Sequence, residues 1–345
     1  MQSANGHGFS PSLWGIVLAA GDGKRLEPLV RRLRGDDLPK QYVNFIGKRS
    51  MLEHTFARAE KLIPREQLLV VPGRGHLKFP EVRRQLAGRV KGTVVAQPEN
   101  RDTLPGTLLP LIHIYHRDPL ATVALFPSDH FILEEDRFVS HLHLACRAVE
   151  RRPASVVLLG AEPDAPDHGY GYILLGGEAE GLAGLGPRRV LSFVENPAPE
   201  ELAGLLQRRA LWNTMAMVFK AFTLLNLAAR FAPSLHAAFE RIGAAVGTRR
   251  ERQAVNEAYG SMAPANFSTE LLERLPEKSP DSILALPVGG VLWSDWGSPR
   301  RVIDVLRRTG YLARAKNLSE RSLFTLWADH KERSRTRPAP GVRIG

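Results

Sequence analysis

Two glycines and two cations stand close together near the start of the chain, in Leu18-Ala19-Ala20-Gly21-Asp22-Gly23-Lys24-Arg25-Leu26-Glu27-Pro28-Leu29, closed by Pro39-Lys40-Gln41. Glycine lets backbone N–H groups approach an anion without a Cβ in the way, and Arg25 and Lys40 add positive charge, so the combination suits a polyphosphate. The common phosphate loops fail on spacing. Gly21-x-Gly23 has Leu26 where a dinucleotide fingerprint needs glycine, and Gly47-Lys48 has Tyr42, not glycine, five residues before Gly47. Two carboxylates complete the set. Asp129 follows the apolar run Val123-Ala124-Leu125-Phe126, at the strand end where a ligand-contacting group belongs, and Asp295 lies between Trp293 and Trp296 ahead of Gly297. Carboxylates from distant segments suit Mg²⁺, whose other positions go to phosphate and water.

These residues need a scaffold. Trp14 to Ala20 reads as a buried strand that ends abruptly in glycines, and further strand-like runs fall at Gln67 to Val71, Thr93 to Ala96, Ala121 to Phe126 and Ser155 to Gly160. Helical patterns such as Met51 to Leu62 separate them. Glu134 to Arg152 carries Phe138, Leu142, Ala145, Cys146 and Val149 on one face, with acids at its start and arginines at its end, which places Cys146 in the core. Alternation of this kind implies a largely parallel sheet with helices on its faces. After Gly169 the pattern changes to β-like stretches at Tyr170 to Leu175, Arg188 to Glu195 and Trp212 to Phe219, with a glycine-rich turn region from Gly176 to Gly186. Thr223 to Leu275 is mostly helical, Ile283 to Val288 returns as a strand, and Ser298-Pro299 starts a helix that Gly310 ends.

Composition narrows the functional classes. A chain of 345 residues can bury a substantial core. Its single cysteine, Cys146, excludes an internal disulfide and fits a reducing compartment. No apolar run approaches the roughly 20 residues of a membrane span, and residues 1–12 do not read as a secretory leader, so a cytoplasmic location is expected. The net charge of +11 raises nucleic acid as a partner, but the arginines are scattered and no aromatic-interleaved stripe or zinc-finger spacing accompanies them. An anionic substrate pair would profit from the same positive charge.

Seven motifs taken together resemble the sugar-phosphate nucleotidyltransferases, and among them the mannose-1-phosphate guanylyltransferases. The glycine loop with its Pro-Lys-Gln is similar to their LAGGxGTRLxPL and PKQ pattern. Pro98-Glu99-Asn100-Arg101, Phe126-Pro127-Ser128-Asp129-His130, Tyr170-Gly171-Tyr172-Ile173, Phe193-Val194-Glu195-Asn196-Pro197, Leu211-Trp212-Asn213-Thr214 and Trp293-Ser294-Asp295-Trp296-Gly297 follow in the family's order, over residues 14 to 306. The resemblance implies an α/β nucleotide-diphospho-sugar transferase fold, Rossmann-like, with a mixed central sheet flanked by helices. It divides the chain into a flexible N-terminus at 1–12, a catalytic domain at 13–310, a helical extension at 311–329 and a disordered basic tail at 330–345. Hexapeptide repeats are absent, and there is no room for the β-helix or cupin domain that many relatives carry after the catalytic part.

The activity implied is nucleotidyl transfer from GTP to mannose 1-phosphate, with release of pyrophosphate. By resemblance Arg25 and Lys40 are catalytic, polarising the triphosphate; Ala19, Ala20, Gly21, Gly23, Glu99 and Asn100 bind the nucleotide; Gly171, Glu195, Asn196 and Asn213 bind the sugar phosphate; and Asp129 and Asp295 hold Mg²⁺ or another divalent cation. His130 reads as a hydrogen-bonded structural partner, and Trp212, Trp293 and Trp296 as core. The chain departs from the pattern in three places. Asn196 replaces a lysine that neutralises the sugar phosphate, Arg101 to Gly106 replaces an RxTAPA-like run, and Glu27 replaces a tryptophan-like residue ahead of a loop lengthened by Gly35-Asp36-Asp37. UTP, CTP or dTTP with another sugar phosphate therefore stay open as substrates, as does a catalytically silent nucleotide-sugar-binding subunit. Homo-oligomerisation is open as well.

Overall fold

The computed structural model describes residues 12–311. The expectations for residues 1–11 and 312–345 lie outside the described residues. In chain order the elements are β1 (Leu13–Ala19), α1 (Glu27–Arg34), α2 (Met51–Ala59), β2 (Leu68–Pro72), α3 (Pro80–Ala87), α4 (Thr103–Arg117), β3 (Thr122–Pro127), β4 (Phe131–Ile132), α5 (Glu135–Arg151) and β5 (Val156–Ala161). Then come β6 (Gly171–Glu178), β7 (Arg188–Glu195), α6 (Pro199–Gln207), β8 (Leu211–Lys220), α7 (Ala221–Phe231), α8 (Pro233–Ala245), α9 (Glu251–Ser261), α10 (Leu275–Lys278), β9 (Ile283–Val288), β10 (Trp293–Ser294) and α11 (Pro299–Arg308).

Eight strands form one sheet in the order β2-β1-β3-β8-β5-β9-β7-β6. The sheet is mixed, as the resemblance implies, and not largely parallel as the strand–helix alternation by itself suggests. β1 pairs in parallel with β2 and β3, and β5 with β9. β8 runs against both β3 and β5, and the β6–β7 ribbon joins antiparallel through β7–β9 and β6–β8. The alternation ends at β5. From β5 to β8 the strands connect by loops or by the one short helix α6, which permits antiparallel neighbours, and α7 to α10 then separate β8 from β9.

Side chains alternate between two cores, one on each face of the sheet. Leu13, Val17 and Ala19 of β1 join Phe56, Phe138 and Val302 on one face, while Trp14 and Ile16 join Leu108, Leu224 and Phe239 on the other. Cys146 is buried as expected, and burial raises its thiol to about 12. Ser50 and Glu53 form a reciprocal capping box at the start of α2, which explains why that helix starts where the periodicity places it. A second expectation is corrected beside that of the sheet's direction. Thr93 to Ala96 is not a regular strand but a bridged edge beside β2, cut short before Pro98. The altered segment Arg101 to Gly106 runs straight into α4, which begins at Thr103, with Pro105 still in the first turn where no donor is lost.

Candidate active site

The site gathers at the carboxyl ends of β1 and β3. Ala19 ends β1, and the loop behind it is pinned from below: Gln41 Nε2 donates to the carbonyls of Ala19 (2.8 Å) and Gly21 (2.9 Å), and Tyr42 Oη donates to Ala19 (2.8 Å). Among the described residues, none of the backbone N–H groups from Gly21 to Arg25 donates to a protein acceptor. A run of unsatisfied donors on a glycine turn is an anion nest. Gly23 has φ 65°, and a Cβ there would meet the Lys40 nitrogen at 3.1 Å, so both its conformation and its closeness to Lys40 call for glycine.

Lys40 is the centre of the arrangement. Its side chain is buried and its Nζ donates to the carbonyls of Asp295 (2.8 Å) and Trp296 (3.1 Å), with Asp129 Oδ2 at 3.0 Å. One ammonium therefore ties the β3 end to the Asp295 loop, while the Lys40 backbone nitrogen and stem lie against Gly23 of the glycine loop. Burial works to raise the Asp129 carboxyl, but Lys40 and the neighbouring His130 outweigh it and hold it below the usual carboxylate range. His130 accepts from Trp293 Nε1 at 3.3 Å, a structural bond, and burial keeps its imidazole below the ordinary value. The short β4–β10 pairing, Phe131 and Ile132 against Ser294 and Trp293, holds the two carboxylate-bearing segments side by side.

Asp295 is heavily engaged. Its Oδ1 accepts from Gly297 N (2.8 Å), Tyr170 Oη (3.2 Å) and Arg301 Nη1 (2.9 Å), while Oδ2 takes Arg301 Nη1 at 2.8 Å and has Arg25 Nη2 at 4.0 Å. No group of three or more His, Cys, Asp or Glu suited to a metal ion occurs among the described residues. The donor set fits a hard divalent cation that takes one oxygen from each aspartate and the rest from phosphates and water, and it does not fit a closed structural metal site.

Two adjoining cavities flank the glycine loop. One, of about 310 Å³, is lined by Gly23, Arg25, Lys40 and Asp129; the other, of about 490 Å³, by Gly21, Gln97, Asn100, Asp102 and Gly106, with Asp22 and Lys24 common to both. A larger cavity of about 630 Å³ lies behind His130 and Trp296 and contains none of the loop. Asn100 lines the second cavity and donates to Asp22 at 3.3 Å, whereas Glu99 does not line it and pairs with Arg101 at 2.8 Å. Gln97 and Asp102 are the residues missed in the sequence. Gln97 is buried and lines the cavity beside Gly106, where a Cβ would stand in van der Waals contact with its Oε1 at 3.4 Å. Asp102 adopts φ 70°, ψ −172°, a region almost reserved for glycine, while its carboxylate caps α4.

On the acceptor side Gly171 faces Glu195 across the β6–β7 pair, and a Cβ at Gly171 would stand 2.6 Å from Glu195 Oε2. Burial raises the Glu195 carboxyl, against a hydrogen bond from Ser268. Asn196 has φ 50°, a left-handed conformation that asparagine tolerates and lysine resists, and its N–H donates to the Tyr170 carbonyl at 3.3 Å. Asn213 is buried in β8, where its Oδ1 accepts from Met215 N at 3.0 Å beside an irregularity in the β5–β8 register. Trp212, Trp293 and Trp296 are buried, as expected of core.

The nucleotidyl transferase family model matches residues 14–309. The chain is 29% identical over 301 residues to the xanthan biosynthesis protein XanB of Xanthomonas campestris pv. campestris (strain B100), covering 86% of this chain and 60% of that protein. It is 31% identical over 225 residues to a mannose-1-phosphate guanylyltransferase of Klebsiella pneumoniae, covering 64% of this chain and 45% of that one. The chain thus spans about 60% or less of the length of these curated relatives. A solved structure named as a mannose-1-phosphate geranyltransferase from Thermus thermophilus superposes with a TM-score of 0.70 at 27% identity, over 85% of this chain and 79% of that one. A UTP-bound UGPase from Acinetobacter baumannii shares the fold at TM-score 0.52 and 14% identity, over 90% and 98%. The fold is that of the nucleotide-diphospho-sugar transferases.

Proposed function

The chain belongs to the nucleotidyl transferase family, and from that premise we propose that it transfers a guanylyl group from GTP to mannose 1-phosphate, forming GDP-mannose and pyrophosphate. The observation that carries the reading is the row of unsatisfied N–H groups from Gly21 to Arg25, beside a small cavity lined by Lys40 and Asp129, with Asp295 held next to it by Lys40 and 4.0 Å from Arg25. In the reaction a phosphate oxygen of the sugar phosphate forms a bond to the α-phosphorus while the bond to the bridging oxygen of the leaving pyrophosphate breaks. No protein nucleophile is required. The glycine loop and Arg25 bind the triphosphate, while Lys40 fixes the two carboxylate-bearing loops and Gln41 and Tyr42 the glycine loop, so that donors and carboxylates are in place before substrates arrive. Asp129 and Asp295 would hold a divalent cation, which when bound offsets charge on the phosphates. Gly171, Glu195, Asn196 and Asn213 form the acceptor side, and Asn100, with Gln97, forms the nucleoside side.

A second reading keeps the chemistry and changes the base. It is favoured by one feature, the altered 101–106 segment, which lines the nucleoside cavity with Asp102 and Gly106. The test is pyrophosphate release with Mg²⁺ across GTP, ATP, UTP, CTP and dTTP against mannose, glucose, galactose and N-acetylglucosamine 1-phosphates. Turnover with GTP and mannose 1-phosphate supports the first reading, and turnover with another pair alone supports the second. A folded, nucleotide-binding protein silent in every combination refutes both and leaves a regulatory subunit. A cytoplasmic location belongs to the same proposal; among the described residues no helix is long and apolar enough to cross a membrane.

A further inference from the structure

We propose that Arg301 is a positioning residue of this reaction, which fixes the Asp295 carboxylate and ties it to the segment Asp167 to Tyr170 that leads into the acceptor strand β6. The inference rests on the nucleotidyl-transfer reading.

Arg301 stands in the first turn of α11, its N–H donating to the Ser298 cap. Its guanidinium is largely buried and spans two aspartates. Nε and Nη2 donate to Asp167 Oδ2 (2.9 Å) and Oδ1 (2.6 Å), and Nη1 donates to both oxygens of Asp295 (2.9 and 2.8 Å). Its carbon lies 3.7 Å from the centre of the Tyr170 ring. A planar fork can serve two carboxylates and a ring face at once, whereas an ammonium cannot.

Two glycines bear this out independently. A Cβ at Gly169 would stand 2.6 Å from Arg301 Nη2, and one at Gly297 would stand 2.9 Å from Nη1 and 2.3 Å from Asp295 Oδ2. Neither glycine has a positive φ, so neither is required by its backbone conformation. Both are needed for space around the guanidinium and its partner.

The consequence for Asp295 is directional. Oδ1 already accepts three hydrogen bonds, so only Oδ2, the oxygen facing Arg25, keeps an open edge. On the far side Tyr170 packs on Trp212 and Trp293, with ring centres 4.5 and 5.3 Å away, and its carbonyl takes the Asn196 N–H. Releasing Arg301 frees the carboxylate to rotate and loosens the acceptor loops together. The glycine loop is held separately, by Gln41 and Tyr42 on the carbonyls of Ala19 and Gly21.

The test compares Arg301→Gln, Arg301→Lys and Asp167→Asn with the parent, by steady-state kinetics in both substrates, thermal melting, and titration of Mn²⁺ into the complex with a non-hydrolysable nucleotide followed by electron paramagnetic resonance. For Arg301→Gln the sugar-phosphate KM rises and Mn²⁺ affinity falls, each about tenfold, while the nucleotide KM stays within about twofold. Arg301→Lys loses less, and Asp167→Asn moves the sugar-phosphate KM in the same direction. The proposal is overturned if folded Arg301→Gln and Asp167→Asn keep the parent's sugar-phosphate KM and Mn²⁺ affinity, or if Mn²⁺ binds more tightly, which would make Arg301 a competitor for Asp295. Should Arg301→Gln fail to fold, Arg301→Lys and Asp167→Asn decide by the same criteria. A parent without turnover refutes the functional reading instead, and the Mn²⁺ titration then decides this one.

Discussion

Replacing Lys40 by methionine keeps an unbranched stem, one atom shorter, and removes the charge and three hydrogen-bonding contacts. In the folded protein the change strands the carbonyls of Asp295 and Trp296 and leaves Asp129 facing a thioether instead of an ammonium. A buried acceptor without a partner costs about 1–3 kcal/mol, and two of them at the lower end give about 2 kcal/mol. The Asp129 side chain is 30% exposed, so solvent screens the lost ion pair and it adds no more than about 1 kcal/mol. The sum, about 3 kcal/mol, corresponds to a fall in Tm of about 4 °C for a protein of 345 residues. Activity should fall at least about a hundredfold, since the two loops that carry the carboxylates lose their common anchor. The measurements are a thermal melt by circular dichroism and pyrophosphate release on the same samples. A variant that loses activity yet melts within about 1 °C of the parent would refute the reasoning, because Lys40 would then act only on the substrate and the loop-joining contacts would contribute nothing.

Gly171→Ala places a methyl group 2.6 Å from Glu195 Oε2, so the carboxylate must move; the sugar-phosphate KM should rise about tenfold with the nucleotide KM unchanged, and equal changes in both would count against an acceptor-side role. Glu150 pairs with Lys220 at 2.7 Å, and although burial works against it, hydrogen bonds from Lys220 and Thr122 hold its carboxyl below the usual range. A carboxyl whose value is lowered on folding contributes stability above its unfolded value, about 4.3, and loses that contribution as pH falls through the folded one. Glu150→Gln should therefore lower Tm at pH 7 and show a flatter decline than the parent below about pH 4. Parallel declines in the two proteins would show that this pair has no part in acid sensitivity.

Much of the scaffold was legible because it is written in local patterns. The β1 run, the two-sided α5 and the Ser298-Pro299 start of α11 each follow from side-chain period or capping chemistry, and each stands where expected. The sheet's mixed direction was not legible from alternation, because β8 inserts between β3 and β5 through contacts distant in sequence. The candidate site divides in the same way. Gly23, Lys40, Asp129 and Asp295 lie in short motifs and come together, but the clamp on Asp295 comes from Arg301, which looks like an ordinary helix-surface arginine until Asp167 is folded against it. Gln97 escaped notice because its neighbour Glu99 is the better-looking polar reader. The fold separates the two, since Gln97 lines the cavity while Glu99 pairs with Arg101 outside it.

The charge around the proposed site explains why a divalent cation belongs to the reading. The chain as a whole carries a net charge of +11, yet the cations at the site are matched by aspartates: Lys24 with Asp22 at 3.9 Å, Lys40 with Asp129 at 3.0 Å, Arg25 with Asp295 at 4.0 Å, and Arg301 with Asp167 at 2.6 Å. The positive surplus therefore lies elsewhere on the molecule, where it can draw anions in at long range but cannot neutralise them at the point of reaction. Two phosphate-bearing substrates would crowd several negative charges into a cavity of about 310 Å³ whose cations, Lys24, Arg25 and Lys40, each have an aspartate within 4.0 Å. What the folded chain itself offers them is the N–H nest of Gly21 to Arg25, a set of dipoles and not a net charge. On the proposed function the remaining compensation would enter with the nucleotide, as a metal ion, and Asp295 Oδ2 together with Asp129 would receive it.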